Sequence, residues 1–183
     1  MNEPSTLDAP KNAPREKRWP QLHHAAKLGV SVRGQREEDL PFLEALYRST
    51  REAELDRTPW GEAQKQAFIA MQFEAQHRHY QQHYPDALWL ILEHLGAPIG
   101  RLYLERWSSE HRIIDIALIP QRRGSGIGKA VLDDVMADAA AAKKAVGIHV
   151  EKENPAMRLY QRLGFTRVED KGVYDLLRWS AQA

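Results

Sequence analysis

Between residues 87 and 120 the chain is built of short, nearly unbroken apolar runs: ALWLILEH (87–94), IGRLYLERW (99–107) and HRIIDIALIP (111–120). Each is of strand length. Gly96-Ala97-Pro98 and Ser108-Ser109 separate them, so the pattern predicts three strands joined by tight hairpins. The lack of polar alternation predicts cover on both faces. Upstream the period is different. GVSVRGQ (29–35) reads as a short strand, and Glu38, Asp39 and Pro41 open a helix carrying Phe42, Leu43, Leu46 and Tyr47. A long helix follows Thr58-Pro59-Trp60, with Phe68, Met71 and Phe73 among polar residues, and stops near Pro85. Downstream, Ile127, Val131, Leu132, Val135 and Met136 mark a helix over 127–143. VGIHVE (146–151) then predicts a strand, NPAMRLYQRLG (154–164) a short helix, and FTRVED with GVYDLLRW a closing pair of strands. The order is β-α-α-β-β-β-α-β-α-β-β, without internal repeats.

Composition narrows the class. At 183 residues and 43% hydrophobic content the chain suffices for one domain with a real core. The first 28 residues hold four of the ten prolines and few large apolar groups, so we expect a flexible tail at 1–28 and a single domain at 29–183. A formal charge of +1 gives no support to nucleic-acid binding. The absence of cysteine excludes a disulfide framework, a thiolate metal site and a cysteine nucleophile, and fits a reducing compartment. No apolar run reaches ~18 residues and the N-terminus lacks the apolar core of a signal peptide, so the expectation is a soluble, cytoplasmic protein without membrane contact, monomeric or homodimeric.

The segment PQRRGSGIGKAVLDDVM (120–136) is where chemistry enters. Three glycines ahead of an amphipathic helix suit a loop whose N–H groups turn toward an anion, where the helix dipole also favours negative charge. A P-loop is excluded, because Gly124 to Gly128 has the wrong spacing and Lys129 precedes Ala130. A dinucleotide fingerprint is excluded by context, since this loop follows an antiparallel meander and not the first strand of a βαβ unit. The pattern Arg/Gln-x-x-Gly-x-Gly/Ala fits Arg123-Gly124-Ser125-Gly126-Ile127-Gly128, and also Gln121 to Gly126; the first register places its last glycine at the helix start.

Together with the preceding strand and the downstream NPAMRLYQRLGF, this loop resembles the GNAT superfamily of acetyl-CoA-dependent N-acetyltransferases. The likeness covers roughly residues 30 to 179 and is most specific over 113–165, where Asn154, Tyr160 and Gly164-Phe165 stand at matching distances. It implies an α+β fold: a mixed, mostly antiparallel sheet of six or seven strands, helices on both faces, and a V-shaped split between strands 111–120 and 146–151. It implies that backbone groups of Arg123, Gly124, Ser125, Gly126, Ile127, Gly128 and Lys129 cradle the CoA pyrophosphate without a metal, and that Ala117 and Leu118 hydrogen-bond the pantetheine arm. The implied activity is acetyl transfer from acetyl-CoA to a primary amine, of a small molecule or a protein. A CoA-binding module of the same fold without turnover is the alternative; a nucleotide-binding regulator is a third.

By the same resemblance Tyr160 is the acid at the thioester sulfur; a packed tyrosine is the plain reading. Asn154 either touches CoA or is simply an N-cap before Pro155. Many relatives carry a Glu where this chain has Arg112, and a two-residue loop at Ser108-Ser109 sets Arg112 opposite Glu105, an ordinary ion-pair position. Asp115, amid apolar neighbours, is the preferred base, because burial raises a carboxylate pKa; Glu151 and a water chain are the alternates. His79 and His83 have an i, i+4 spacing, but no third ligand supports a metal, and a solvated helix face is the reading. Their helix is expected to frame the acceptor pocket, with Trp60, Tyr80 and Tyr84 as lining or core.

Overall fold

A computed structural model describes residues 19–181. Its centre is one sheet of seven strands: β1 (Val30–Gly34), β2 (Leu88–His94), β3 (Ala97–Arg106), β4 (Glu110–Leu118), β5 (Ala145–Glu151), β6 (Thr166–Lys171) and β7 (Tyr174–Trp179). The spatial order is β1-β2-β3-β4-β5-β7-β6. Only β4 and β5 run parallel, so the expected mixed, mostly antiparallel sheet is what forms. The helices are α1 (His23–Ala26), α2 (Leu40–Leu55), α3 (Glu62–His83), α4 (Ile127–Ala141) and α5 (Met157–Arg162).

Alternation along the strands explains the two layers. Leu90, Leu92, Leu102, Leu104, Ile113, Val146, Ile148 and Val150 share one core with Val131, Leu132 and Val135 of α4 and Tyr160 of α5. Ile91, one position out of phase, joins Leu43, Leu46 and Tyr47 of α2 and Ile69 and Phe73 of α3 on the other face. No helix among the described residues is long and apolar enough to cross a membrane.

Local chemistry shifts several predicted boundaries. The first hairpin turns on Leu95-Gly96, both at positive φ (51° and 82°), so the turn starts one residue earlier than the expected Gly96-Ala97-Pro98, and Ala97 and Pro98 open β3. At the second, Trp107 N–H bonds Glu110 O at 2.8 Å around Ser108-Ser109, as expected. α5 starts at Met157 and not at 154, because Asn154 and Pro155 form a turn. The Asn154 side-chain oxygen takes the Ala156 N–H (2.8 Å) and its carbonyl takes that of Met157 (3.0 Å). Residues 1–18 of the predicted tail lie outside the described residues. Residues 19–28 belong to the packed domain: Ala25 is fully buried, and the buried Asp134 of α4 accepts the His24 and Ala25 N–H groups at 2.8 and 2.9 Å.

The feature that positions the site is a departure from regularity. Tyr103 faces Asp115 while Leu104 faces Ile113, so Ile114 is an extra residue and β4 bulges there. On the other side, β4 pairs with β5 only through Glu110–Ile113 against Ala145–Ile148. Beyond that point the two strands separate.

Candidate active site

The loop that enters α4 is built to hold an anion. After a tight turn at Pro120–Arg122, Gly124 and Gly126 adopt φ of 70° and 85°, which glycine reaches without strain. Gly126 is the N-cap, and Ala130 N–H is the first in α4 to find a helical acceptor, on Gly126 O at 3.0 Å. The six preceding N–H groups, from Gly124 to Lys129, have no acceptor among the described residues. A Cβ placed on Gly124 or Gly126 would meet nothing within 4 Å, so the space before these donors is open. Free N–H groups at a helix start make a phosphate cradle.

One expectation for this loop changes. Arg123 N–H is bonded to Pro120 O at 3.2 Å, so the cradle begins at Gly124. The Arg123 guanidinium ties Leu118 O (2.9 Å) to the Ser49 hydroxyl (2.9 Å), and Arg122 reaches His94 at 3.1 Å. Lys129 pairs with Asp133 at 2.6 Å. The loop cations therefore brace the loop, and backbone dipoles face the open space.

The separated edge of β4 continues from the loop. Ile119 N–H is bonded to Ile99 O on β3, so strand alternation turns the Leu118 peptide groups away from β3, in agreement with the bond from Arg123 to Leu118 O. By the same alternation Ala117 is committed to β3, opposite Arg101, and Ile116 takes its place beside Leu118 on the open edge.

Tyr160 of α5 approaches from the α4 side. It is 4% exposed and packs edge-on against Phe165, ring centroids 5.5 Å apart. Burial, and then the negative charge of Asp115, push its phenol well above the ordinary 10, so the hydroxyl keeps its proton throughout any working pH. Asn154 serves the turn described above and is exposed.

Asp115 is less free than the sequence implies. Its Oδ2 accepts from Arg101 at 2.6 Å and from the Tyr80 hydroxyl at 3.1 Å; Arg101, 3% exposed, also reaches Gln76 at 3.0 Å. Burial of Asp115 thus comes with a guanidinium attached, and the argument from burial alone does not apply. Glu151, beside the same opening, makes no ion pair among the described residues and accepts only from the Tyr174 hydroxyl, at 3.3 Å. Tyr174 in turn has its phenol pushed up by burial and by Glu151, with Arg51 of α2 acting in the opposite sense. Arg101, Glu151 and Tyr174 thus matter more than the linear pattern shows. A charged residue inside the apolar run IGRLYLERW was the available signal for Arg101.

The remaining candidates frame this face. Tyr80 packs against Trp89 and Tyr103 at 6.4 and 6.1 Å, and Tyr84 lies against Tyr80. Trp60 packs on Phe68 at 5.1 Å, away from this group. His79 and His83 stack at 4.0 Å, and the described residues contain no His, Asp and Glu group able to hold a metal.

An N–H cradle at a helix start, beside two parallel strands that part after four pairs, defines the architecture of a GNAT acetyltransferase. The chain belongs to that family: the model of the acetyltransferase (GNAT) family matches residues 43–165. Among solved structures, the PaiA N-acetyltransferase of Thermoplasma acidophilum, solved with coenzyme A, aligns over 83% of this chain and 99% of its own at 19% identity, with a TM-score of 0.62. An acetyltransferase of Thermus thermophilus aligns over 83% and 97% at 16% identity, with a TM-score of 0.60. At these identities the likeness is one of fold. No curated protein sequence matches the chain.

Proposed function

We propose that this protein transfers an acetyl group from acetyl-CoA to a primary amine by direct attack within a ternary complex. The observation that carries the reading is the run of six unengaged N–H groups from Gly124 to Lys129, opening on the edge of β4 where β5 departs. Acetyl-CoA, when bound, supplies the activated acyl group and a thiolate leaving group. Gly124 to Lys129 receive its pyrophosphate, and Ile116 and Leu118 offer peptide groups to the pantetheine arm.

Glu151 is the carboxylate suited to take the proton of the attacking amine, because it makes no ion pair among the described residues. Asp115 acts with Arg101 and Tyr80 to fix the wall of the opening. Tyr160 acts as a hydrogen-bond donor to the sulfur. With its pKa raised, the phenol is too weak an acid to hand its proton outright to a thiolate, whose thiol has a pKa of about 8.5, but a buried O–H bond to a developing anion is strong. The acceptor is an amine of a small molecule or of a protein.

Calorimetric titration with CoA tests the donor side. Micromolar or tighter binding, lost on Gly126→Glu, is expected; absence of binding refutes the reading. The same fold could bind CoA without turnover, and Arg112 in place of an acidic residue favours that second reading; thiol release in the presence of amines separates the two.

A further inference from the structure

A second buried polar cluster lies at the foot of the split, and acetyl transfer as described makes no use of it. Glu110 and Arg112 of β4 are each 4% exposed and paired, Arg112 Nε lying 2.8 Å from Glu110 Oε1. The other oxygen of Glu110 takes Arg178 of β7 at 3.1 Å. A Cβ at Gly147 would sit 2.5 Å from Glu110 Oε1, so bare backbone on β5 is what admits this carboxylate. Arg112 also covers the Trp107 ring at 4.4 Å. Its remaining amino group lies 3.1 Å from His149 Nδ1. Arginine has no acceptor and does not deprotonate, so this bond needs the Nδ1 lone pair. The imidazole is therefore neutral, with its proton on Nε2.

The place of this ring is informative. Ile113 and Ile148 form the last parallel pair, so His149 is the first β5 residue beyond the ladder. Strand alternation puts it on the same face as Glu151, about 7 Å along, and opposite to Ile148 and Val150, which belong to the α4 core. It is only partly buried.

We propose that Arg112 and His149 form one unit that keeps imidazolium charge away from the acceptor side of the split and presents a single donor, Nε2–H, to an oxygen of the incoming amine. The inference rests on the acetyl-transfer reading of this cleft. The acceptor that fits is an amine with a carbonyl or hydroxyl oxygen a few bonds from its nitrogen, the nitrogen at Glu151 and the oxygen at His149. His149 is then a positioning residue for the acceptor. The surroundings of the ring act in both directions: burial, Arg112 and Lys171 disfavour the imidazolium, Glu110 and Glu169 favour it, and the balance lowers its pKa to about 4. Arg112 thus sets the tautomer of its neighbour.

Nitrogen-detected NMR of the histidine rings in the full chain reads the tautomer without substrate. His149 is expected to be neutral and protonated on Nε2 from pH 8 to pH 5, and to titrate at least one pH unit higher in Arg112→Met. A ring protonated at pH 7, or carrying its proton on Nδ1, overturns the proposal. His149→Asn keeps an oxygen near the place of Nδ1 for Arg112 and removes the Nε2 donor. Its KM for an amino alcohol should rise about 3- to 10-fold, with KM for the alkylamine of equal length and for acetyl-CoA unchanged. An equal change for both amines, or none, overturns the proposal. Failure of the wild-type protein to acetylate any amine refutes the acetyl-transfer reading instead, and the NMR result still decides the tautomer.

Discussion

Substituting Gly126 by glutamate separates the fold from the cradle. At φ 85° an L-residue is strained by about 1 kcal/mol, and nothing else opposes the new side chain, since a Cβ there meets no atom within 4 Å. For a domain of this size that cost lowers the melting temperature of the free protein by only about 2–4 °C. The effect on phosphate is far larger. A carboxylate roughly 5 Å from one phosphate charge, at an effective dielectric near 20, opposes it by about 3 kcal/mol, which is more than 100-fold in affinity. Thermal melts with and without CoA read both quantities. At a CoA concentration 100 times Kd, the wild-type protein gains about 2.7 kcal/mol and melts roughly 5–11 °C higher. The variant should show the small fall and almost none of the gain. A folded variant with an undiminished CoA shift would refute the cradle.

Four further outcomes are expected. Tyr160→Phe should leave the fold and CoA affinity nearly unchanged and lower turnover at saturating acetyl-CoA by roughly 10²- to 10³-fold, the loss of one donor to a developing anion; because the phenol is pushed up, no alkaline limb from Tyr160 should appear below about pH 10, and one there would contradict its assigned state. Glu151→Gln should depress turnover without a change in melting temperature, a result checked by paired kinetics and melts. Asp115→Asn, by contrast, leaves the buried Arg101 without its charge partner and should cost about 3 kcal/mol of stability; an unchanged urea midpoint would remove the ion pair from the account. Asp39 is held below its ordinary 3.8 mainly by Arg33, so its contribution is present above pH 3.8 and lost as the pH falls further; Asp39→Asn should flatten the stability curve in that acid range, measured by urea unfolding at stepped pH.

Much of this arrangement was legible in the sequence because it is local. Hairpin arithmetic around Ser108-Ser109 put Arg112 opposite Glu105, and the ladder has that pair. Yet Arg112 bonds Glu110, since residues two apart on a strand share a face. The glycine loop and the start of α4 could be read directly, because spacing and helix period lie in one segment. What escaped depends on distant segments. The bulge at Ile114 sets which β4 side chains reach Arg101, and no pattern in HRIIDIALIP marks it. The seating of residues 19–28 depends on one carboxylate, Asp134, 110 positions from His24. Nothing in VGIHVE sets His149 apart; only the pairing of β4 with β5 brings it to Arg112.

Release of free thiol from acetyl-CoA over a panel of primary amines, amino alcohols and peptide N-termini tests the central claim most directly. The account predicts release that depends on the amine, saturates in acetyl-CoA and is lost in Gly126→Glu. Thiol release no faster than in buffer for every amine, with CoA binding intact, would contradict it and leave a CoA-binding module in its place.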